Sequence, residues 1–285
     1  MIPSRRTSMA YVFASALGWS TAGLFSRAIH TDTATMILWR GMAGAAGLIA
    51  LILILQGPSG LRGFARLGRA GVAYAAASGC GMLCFIGALQ NTSVAHVAII
   101  YATIPFAAAA MAWLALGERP SGAAMAASSL ALAGAALMVG LGHDGQWLGD
   151  ALAAAMVVLM ALMIVIARAT PTLPTLAAGA CSAIWAPLVC LPFATTHGLT
   201  TPTIALLFGF GLINSALSLA LFIHGSRHLP AVSTALISAL ETPMTPMWVW
   251  LVFGETPTAM TLVGGAIVLA AVLWYVQHES RAQPI

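Results

Sequence analysis

Glu241 and Arg40 are the two charged side chains that fall well inside apolar stretches of this chain. A carboxylate there could hold a proton or a substrate amine, and an arginine could hold a substrate carboxylate. Charges buried away from water are costly, so they tend to be functional or paired. Structural interpretations stay open for both: Glu241 as a protonated or hydrogen-bonded group beside Thr242 and Pro243, and Arg40 as a side chain that extends outward or pairs with a carboxylate.

Further polar and aromatic side chains lie in the same apolar stretches and could line a substrate cavity. Asn214 and Ser218 share one helix face at a spacing of i, i+4, which should point into the protein and bind either another helix or a substrate. Rings and methionines suit apolar ligands, although each of them could equally serve core packing. The candidate substrate contacts are Trp19, Tyr74, Ser78, Tyr101, Met160, Asn214, Ser218, Glu241 and Thr245.

Prolines and glycines inside these stretches predict where helices break or approach each other closely. Pro105, Pro243 and Pro246 each remove a backbone donor, so they are candidate hinges at which broken backbone could line a cavity. Gly41, Gly44 and Gly47 recur every three residues along one helix, which permits close contact with a neighbouring helix.

The composition shows which class of protein must position these residues. Of 285 residues only 6% are charged and 60% are hydrophobic, and the basic residues are all arginine. A soluble domain carries about 25% charged residues, so a soluble enzyme and a disordered protein are excluded. The net charge of +4 is too small for a nucleic-acid-binding surface. We therefore expect an all-α membrane protein.

Polar, charged and Gly/Pro-rich positions divide the sequence into ten predicted membrane spans joined by short connections. A span needs roughly 20 mostly apolar residues, and cutting at polar, charged or Gly/Pro-rich positions leaves ten such segments. The predicted spans are 9–29, 33–56, 69–90, 94–115, 121–141, 148–169, 175–195, 203–225, 231–253 and 258–278.

The arginines predict the orientation of these spans. With a cytoplasmic N-terminus, nine of the eleven arginines lie on the cytoplasmic side, whereas the opposite side carries Asp32, Asp144, Asp150 and Glu255. An excess of arginine in cytoplasmic connections is the usual arrangement. Ten spans then place both termini in the cytoplasm, with Glu118 on the cytoplasmic side.

An internal repeat divides the chain into two halves. Residues 117–120 read Gly-Glu-Arg-Pro and residues 254–257 read Gly-Glu-Thr-Pro, at an offset of 137, and Pro105 and Pro243 precede them. The predicted halves, 1–142 and 143–285, hold five spans each. Because five is odd, the halves must cross the membrane in opposite senses. Inverted repeats of this kind are typical of secondary transporters, whose substrate sites lie near the midplane.

Several short motifs together resemble the EamA type of the drug/metabolite transporter superfamily, along essentially the whole chain. They are Leu17-Gly18-Trp19-Ser20, Trp39-Arg40, Ile104-Pro105, Leu116-Gly117-Glu118, Leu240-Glu241 and Phe253-Gly254-Glu255. Members often have Leu-Glu-Pro in the ninth helix, whereas Thr242 here precedes the proline. The resemblance places the first, third and fourth helices around the cavity, which favours Trp19, Tyr74 and Tyr101 as contacts.

The resemblance also implies what the protein carries. The run from Trp19 to Leu24 is similar to exporters of aromatic amino acids and methyl viologen within the superfamily. We therefore expect an exporter of aromatic or other neutral amino acids in the bacterial inner membrane, working by alternating access. Cationic drugs or other metabolites are the alternative substrates. We expect no cofactor or metal, a small-molecule substrate, a lipid bilayer as the surroundings, and a monomer or weak dimer.

Proton coupling, a channel and an intramembrane hydrolase are the remaining hypotheses. Proton coupling would need an ionisable group, for which Glu241 is the candidate, with Arg40, Glu118 and Glu255 as further coupling or structural residues. A serine hydrolase could use Ser20, but the run around it lacks the closing glycine of the nucleophile motif. Neither a channel nor a hydrolase explains the internal repeat.

Overall fold

The computed structural model describes residues 4–92, 94–139, 147–195 and 199–282, and within these ranges the regular structure is entirely helical. Nine of the described helical segments are long and apolar enough to cross a membrane. With this apolar composition, they make the chain a multi-pass, all-α membrane protein. Asp144 and the predicted boundary at 142/143 lie outside the described residues.

Helices occupy the positions of all ten predicted spans, and we number them in chain order. In the first half, span 1 is Arg5–Ser20 with Ala22–Ala28, span 2 Thr33–Gln56, span 3 Gly68–Asn91, span 4 Val94–Tyr101 with Ile104–Leu116, and span 5 Gly122–Val139. In the second half, span 6 is Trp147–Ala169, span 7 Thr175–Cys190, span 8 Thr201–Ser226, span 9 Ala231–Ser238 with Glu241–Phe253, and span 10 Ala259–Ala282. Short helical turns, Pro58–Leu61 with Arg62–Ala65 and Leu191–Phe193, follow spans 2 and 7.

Span 1 is the segment that falls short of an unbroken crossing helix. It is interrupted at Thr21, whose hydroxyl donates to the carbonyl of Gly18 at 2.6 Å. Its two pieces hold 16 and 7 residues, so neither alone reaches the length of a span. The sequence predicted a span here but not its interruption, because Thr21 is not a helix-breaking residue like proline.

The contacts between spans follow the same pattern when the two halves of the chain are exchanged. Span 3 packs along span 6 as span 8 packs along span 1, and span 4 packs along span 6 as span 9 packs along span 1. Spans 2 and 7, spans 4 and 9, and spans 5 and 10 each pack against their own counterparts. This exchange describes an approximate two-fold relation. Because each half holds five spans, the two halves run in opposite senses through the bilayer.

The repeated Gly-Glu motif ends the fourth and ninth spans in the same way. Gly117 and Gly254 close these helices in the left-handed conformation, at φ of 69° and 71°. Residues with a Cβ adopt this conformation at a cost, whereas glycine does so freely and is the usual helix terminator. The glutamates that follow, Glu118 and Glu255, are thereby set just beyond the two helix ends.

Glycines let the spans approach each other closely where the two halves meet. A Cβ added to Gly134 in span 5 would lie 2.7 Å from the carbonyl oxygen of Gly264 in span 10, and a Cβ on Gly264 would meet the carbonyl of Gly134. Along span 2, a Cβ on Gly41 would overlap Pro187 of span 7, and one on Gly44 would overlap Ser215 of span 8. The close contacts predicted for the span 2 glycines are therefore present.

Candidate functional site

Two helix breaks meet in the middle of the protein. Span 4 is broken at Ala102–Thr103 and span 9 at Ala239–Leu240, positions that differ by the offset of the repeat, 137. The second piece of span 4 packs against the first piece of span 9. Broken helices free backbone groups from the helical pattern, and such breaks line substrate sites in many transporters. The breaks therefore mark the candidate site.

Prolines follow both breaks and explain why new helices start there. Pro105 lies in the first turn of Ile104–Leu116, where its missing N–H costs nothing, and Pro243 is the third residue of Glu241–Phe253. Pro246 lies inside that second helix. The three prolines proposed as hinges thus lie at or just after the two breaks.

A small cavity of about 20 Å³ lies beside these breaks, between spans 4, 6, 8 and 9. Its walls are almost wholly apolar, with one tyrosine and one serine among them. Its lining residues are Tyr101, Ala102, Ile104, Pro105, Met160, Ile164, Phe222, Ala235, Ser238 and Ala239. In this conformation it has room for about one water molecule, and its apolar walls suit an apolar group.

Glu241 and Tyr101 join the two breaks to each other. Tyr101 ends the first piece of span 4, Glu241 begins the second piece of span 9, and the tyrosine hydroxyl lies near the carboxyl group of Glu241. A carboxyl group and an aromatic hydroxyl are thus placed beside the apolar cavity. Thr245, the next candidate on the same face, donates to the Glu241 carbonyl at 2.8 Å.

Trp19, Asn214 and Ser218 lie together where span 1 meets span 8. The amide of Asn214 donates to the carbonyls of Gly18 and Trp19 at 3.3 and 3.2 Å, beside the interruption of span 1. The indole N–H of Trp19 donates to the Asn214 carbonyl at 3.0 Å. Ser218 donates to the carbonyl of Ile213 at 2.7 Å. These polar groups satisfy backbone carbonyls between helices, and the Trp19 ring packs against Phe222 of the cavity wall.

An irregular stretch of span 8 explains these bonds. Gly211–Leu217 forms a π-helix, in which backbone bonds reach five residues back rather than four. The wider turn leaves carbonyl oxygens that would accept backbone hydrogen bonds in an α-helix. The hydroxyl of Ser218 donates to one of them, that of Ile213. Nothing in the spacing of residues 211–217 distinguishes this stretch from an α-helix, so the sequence did not predict it.

The remaining candidate contacts do not line this cavity. Tyr74 in span 3 is fully buried in the main core, and its hydroxyl lacks a hydrogen-bond partner among the described residues. Ser78, one turn further along, is half-buried. Thr245 faces Gly23 of span 1, where an added Cβ would overlap its methyl group. Next along the same face, Trp248 donates to the hydroxyl of Ser20 at 2.8 Å.

Arg40 reaches from span 2 to its neighbours. Its Nη2 lies 3.3 Å from the sulfur of Met82 in span 3, and its Cζ lies 5.0 Å from the centre of the Phe210 ring in span 8. Phe210 in turn stacks on Phe25 at 5.0 Å. Among the described residues no carboxylate lies within ion-pairing distance of Arg40, so the pairing interpretation is not what the structure shows.

Two ion pairs lie at opposite ends of the bundle. Arg27, at the end of span 1, donates from Nε and Nη2 to Glu255 at 2.8 and 2.5 Å. Arg168, at the end of span 6, donates to Glu118 at 2.9 Å. Spans 1 and 6 correspond in the two halves, as do the two glutamates, so each pair is the counterpart of the other. The repeat in the sequence identified both glutamates but not their arginine partners. Those arginines lie 228 residues from Glu255 and 50 residues from Glu118.

Basic residues surround the Arg168–Glu118 pair. Arg168 also donates to the backbone carbonyl of Arg227 at 3.3 Å, and Arg227 donates to the carbonyl of Leu173 at 2.6 Å. Partial burial, together with the charge of Arg227, lowers the pKa of the neighbouring His228 below its ordinary value. The imidazole of His228 is therefore neutral near pH 7 and adds no charge to this end.

Ser238 and Phe222 are cavity residues that were not predicted from the sequence. Ser238 is the last residue before the break in span 9, and its hydroxyl donates to the carbonyl of Thr234 at 2.9 Å. The repeat offered a signal: Ser238 follows Tyr101 by 137 residues, the offset of the Gly-Glu motif. Phe222 lies one turn after Ser218, on the face already identified as facing inward.

Comparison with known proteins agrees with this architecture. The chain is 29% identical over 283 residues to a probable terminal-alkyne amino-acid exporter of Streptantibioticus cattleyicolor, covering 87% of this chain and 93% of that protein. A crystal structure at 18% identity superposes with a TM-score of 0.84, covering 99% of this chain and all of the other, which shows the same fold. The EamA-like transporter family matches residues 6–140 and again residues 147–277. The chain therefore belongs to the EamA-like transporter family and is a membrane transporter of small molecules, not an enzyme.

Proposed function

We propose that this protein exports aromatic or other neutral amino acids across the bacterial inner membrane. The observation that carries the proposal is the apolar cavity at two counterpart helix breaks, with the Tyr101–Glu241 pair at its edge. The cavity walls suit an apolar side chain, and the carboxylate suits an ammonium group. The exporter of amino acids from Streptantibioticus cattleyicolor, with which the chain aligns almost throughout, supports the same substrate class.

The two repeated halves are suited to transport by alternating access. In this proposal the halves 1–142 and 143–285 rock against each other around the cavity, which opens first to the cytoplasm and then outward. The Arg168–Glu118 pair closes the cytoplasmic end and the Arg27–Glu255 pair the opposite end. Both termini are cytoplasmic, as the distribution of arginines favours. A monomer contains the whole site, so a weak dimer would add nothing to it.

Counterflow into proteoliposomes tests the substrate class. Vesicles containing purified protein are loaded with unlabelled L-phenylalanine, and the uptake of labelled phenylalanine, leucine and tryptophan is compared with that of protein-free vesicles. Saturable, protein-dependent exchange is the expected result and excludes a simple channel. If none of a full panel of amino acids exchanges, the substrate assignment is wrong.

The same vesicles test cationic drugs and proton coupling. Glu241 beside an aromatic ring also suits an organic cation, so methyl viologen belongs in the panel; exchange of methyl viologen without any amino acid would favour the alternative substrate. For coupling, Glu241 is the main candidate for the group that carries the proton. Phenylalanine flux that does not change across imposed pH gradients would show facilitated exchange rather than proton coupling.

A further inference from the structure

A second and larger cavity lies where span 1 faces spans 9 and 10. It holds about 240 Å³, against about 20 Å³ for the cavity at the helix breaks. Within the described residues spans 1 and 10 do not pack along each other, although each packs against span 9, so a groove remains between them. The lining residues are Arg6, Met9, Ala10 and Phe13 of span 1, Ile237 and Leu240 of span 9, and Val272, Leu273 and Val276 of span 10.

This groove opens toward the surroundings of the protein. Phe13 and Leu273, which form its two rims, are 42% and 54% exposed, whereas Met9, Ile237 and Val272 on its floor are buried. Around a membrane-spanning helix the surroundings are lipid chains. A gap lined by apolar groups loses dispersion contacts unless something fills it. An acyl chain is the filling that these surroundings supply.

The groove runs along span 1 from its first turn toward the middle of the protein. Arg6, Met9, Ala10 and Phe13 are spaced i, i+3, i+4 and i+7, which is one face of a helix. Seven residues of helix rise by about 10 Å, which lies within the hydrocarbon depth of one leaflet, about 15 Å. At its inner end the groove reaches Leu240, at the break in span 9. Its length therefore suits an acyl chain from a single leaflet.

Arg6 supplies a positive charge at the outer end of this groove. Span 1 begins at Arg5, so Arg6 lies at the membrane surface, where lipid headgroups are found. Arg5 is paired with Glu279 of span 10, whereas Arg6 is exposed and forms no ion pair with another described residue. A phosphate matches the fork of an arginine, and basic pockets between spans bind anionic headgroups.

The groove and the cavity at the helix breaks lie on opposite faces of span 9. Ile237 and Leu240 line the groove, and Ser238 and Ala239 line the cavity, so the two share no residue. A molecule in the groove does not compete with a molecule in the cavity. The groove is thus a separate site, and what binds there is independent of the transported molecule.

We propose that this groove binds one anionic phospholipid, with its phosphate on Arg6 and one acyl chain along the groove as far as Leu240. The lipid comes from the leaflet in which span 1 begins, which is the cytoplasmic leaflet in the proposed orientation. A zwitterionic lipid can insert the same chain, but its own cationic group weakens the attraction to Arg6. The site therefore selects lipids by the charge of the headgroup.

Titration of the purified protein in detergent, followed by native mass spectrometry, tests the headgroup contact. The probes are dioleoylphosphatidylglycerol and dioleoylphosphatidylcholine, which have the same chains and differ in headgroup charge. We expect the wild type to bind phosphatidylglycerol about fivefold more tightly, as for one arginine near an anionic headgroup. Arg6→Gln should bring the ratio of the two affinities close to one. Arg66→Gln removes the same charge from an exposed residue between spans 2 and 3 and should leave the ratio unchanged.

A ring placed in the groove tests the position of the chain. Ala10→Phe fills the groove and should weaken the binding of both lipids, whereas Ala73→Phe adds the same ring to an exposed position of span 3 and should not. If Ala10→Phe is not recovered as folded protein, Leu273→Trp on the other rim takes its place.

Three results would overturn the proposal. The first is a ratio of affinities that Arg6→Gln leaves at the wild-type value, and the second is wild-type lipid binding in the variants with a filled groove. The third is a wild type that is dimeric in the mass spectrum and becomes monomeric in Ala10→Phe, which would show that a second copy of the chain occupies the groove.

Discussion

At the scale of single residues, Glu241 and Tyr101 join the two broken helices and supply polar groups to an apolar cavity. We predict that Glu241→Gln lowers kcat/KM for phenylalanine about tenfold or more, because a neutral amide loses the charge-assisted bond to the ammonium. Tyr101→Phe should cost less, about fivefold, since it removes one neutral hydrogen bond.

Glu241→Asp and Glu279→Gln provide the controls for this prediction. The first keeps the charge on a shorter side chain and should retain more activity than Glu241→Gln. The second converts a carboxylate to an amide at the end of span 10, away from the cavity, and should transport at the rate of the wild type. Transport by Glu241→Gln at the wild-type rate would show that the carboxylate is structural only.

At the scale of helices, the contact between spans 1 and 8 depends on Asn214. Its amide serves two carbonyls at the interruption of span 1, and the residue is 6% exposed. Asn214→Ala leaves these carbonyls without their donor, which should cost about 1–3 kcal/mol of stability. The loss would appear as a lower midpoint of thermal unfolding in detergent.

Ser129→Ala is a matched comparison for Asn214→Ala. Ser129 also hydrogen-bonds a helical carbonyl, that of Met125 at 3.0 Å, but it lies on the exposed surface of span 5 and joins no second helix. Its replacement should change the midpoint little. If both variants unfold at the wild-type midpoint, the amide of Asn214 does not stabilise the interface.

The helices themselves were predictable, whereas their irregularities were not. Hydropathy located helices at all ten predicted spans within a few residues, nine of them long and apolar enough to cross a membrane. The prolines indicated the breaks in spans 4 and 9 because proline removes a helical bond. The interruption at Thr21 and the π-helical stretch of span 8 lie where those two spans contact each other. Contacts between helices distant in sequence leave no local pattern, so Arg27 and Arg168 could not be assigned to their glutamates either.

At the scale of the whole molecule, one ion pair lies at each end of the bundle, and both are formed in this structure. Breaking one pair should shift the protein toward the state that is open at that end, because a population follows the free-energy difference between states. A partly exposed pair contributes up to about 1 kcal/mol. We therefore predict up to about a fivefold shift, in opposite directions, for Glu118→Gln and Glu255→Gln.

A cysteine at the cavity reports this shift. Ser238→Cys, in protein whose native cysteines are replaced by alanine, is labelled with an impermeant thiol reagent in vesicles of either orientation. Glu118→Gln should speed labelling from one face and Glu255→Gln from the other. Equal labelling in both variants would show that the pairs do not control access. The face exposed by Glu118→Gln should be the cytoplasmic one.

The crossing of spans 5 and 10 has a consequence for how mutations combine. Gly134 and Gly264 each occupy the space that a Cβ on the other would need, so this crossing joins counterpart helices at one shared point. Alanine at either position should separate the same two backbones, and once they are apart the second alanine meets no further clash. A double-mutant cycle should therefore be strongly sub-additive, the double variant being scarcely less stable than either single variant. Substitutions at two positions 130 residues apart would then change the stability of the protein as if they were one substitution.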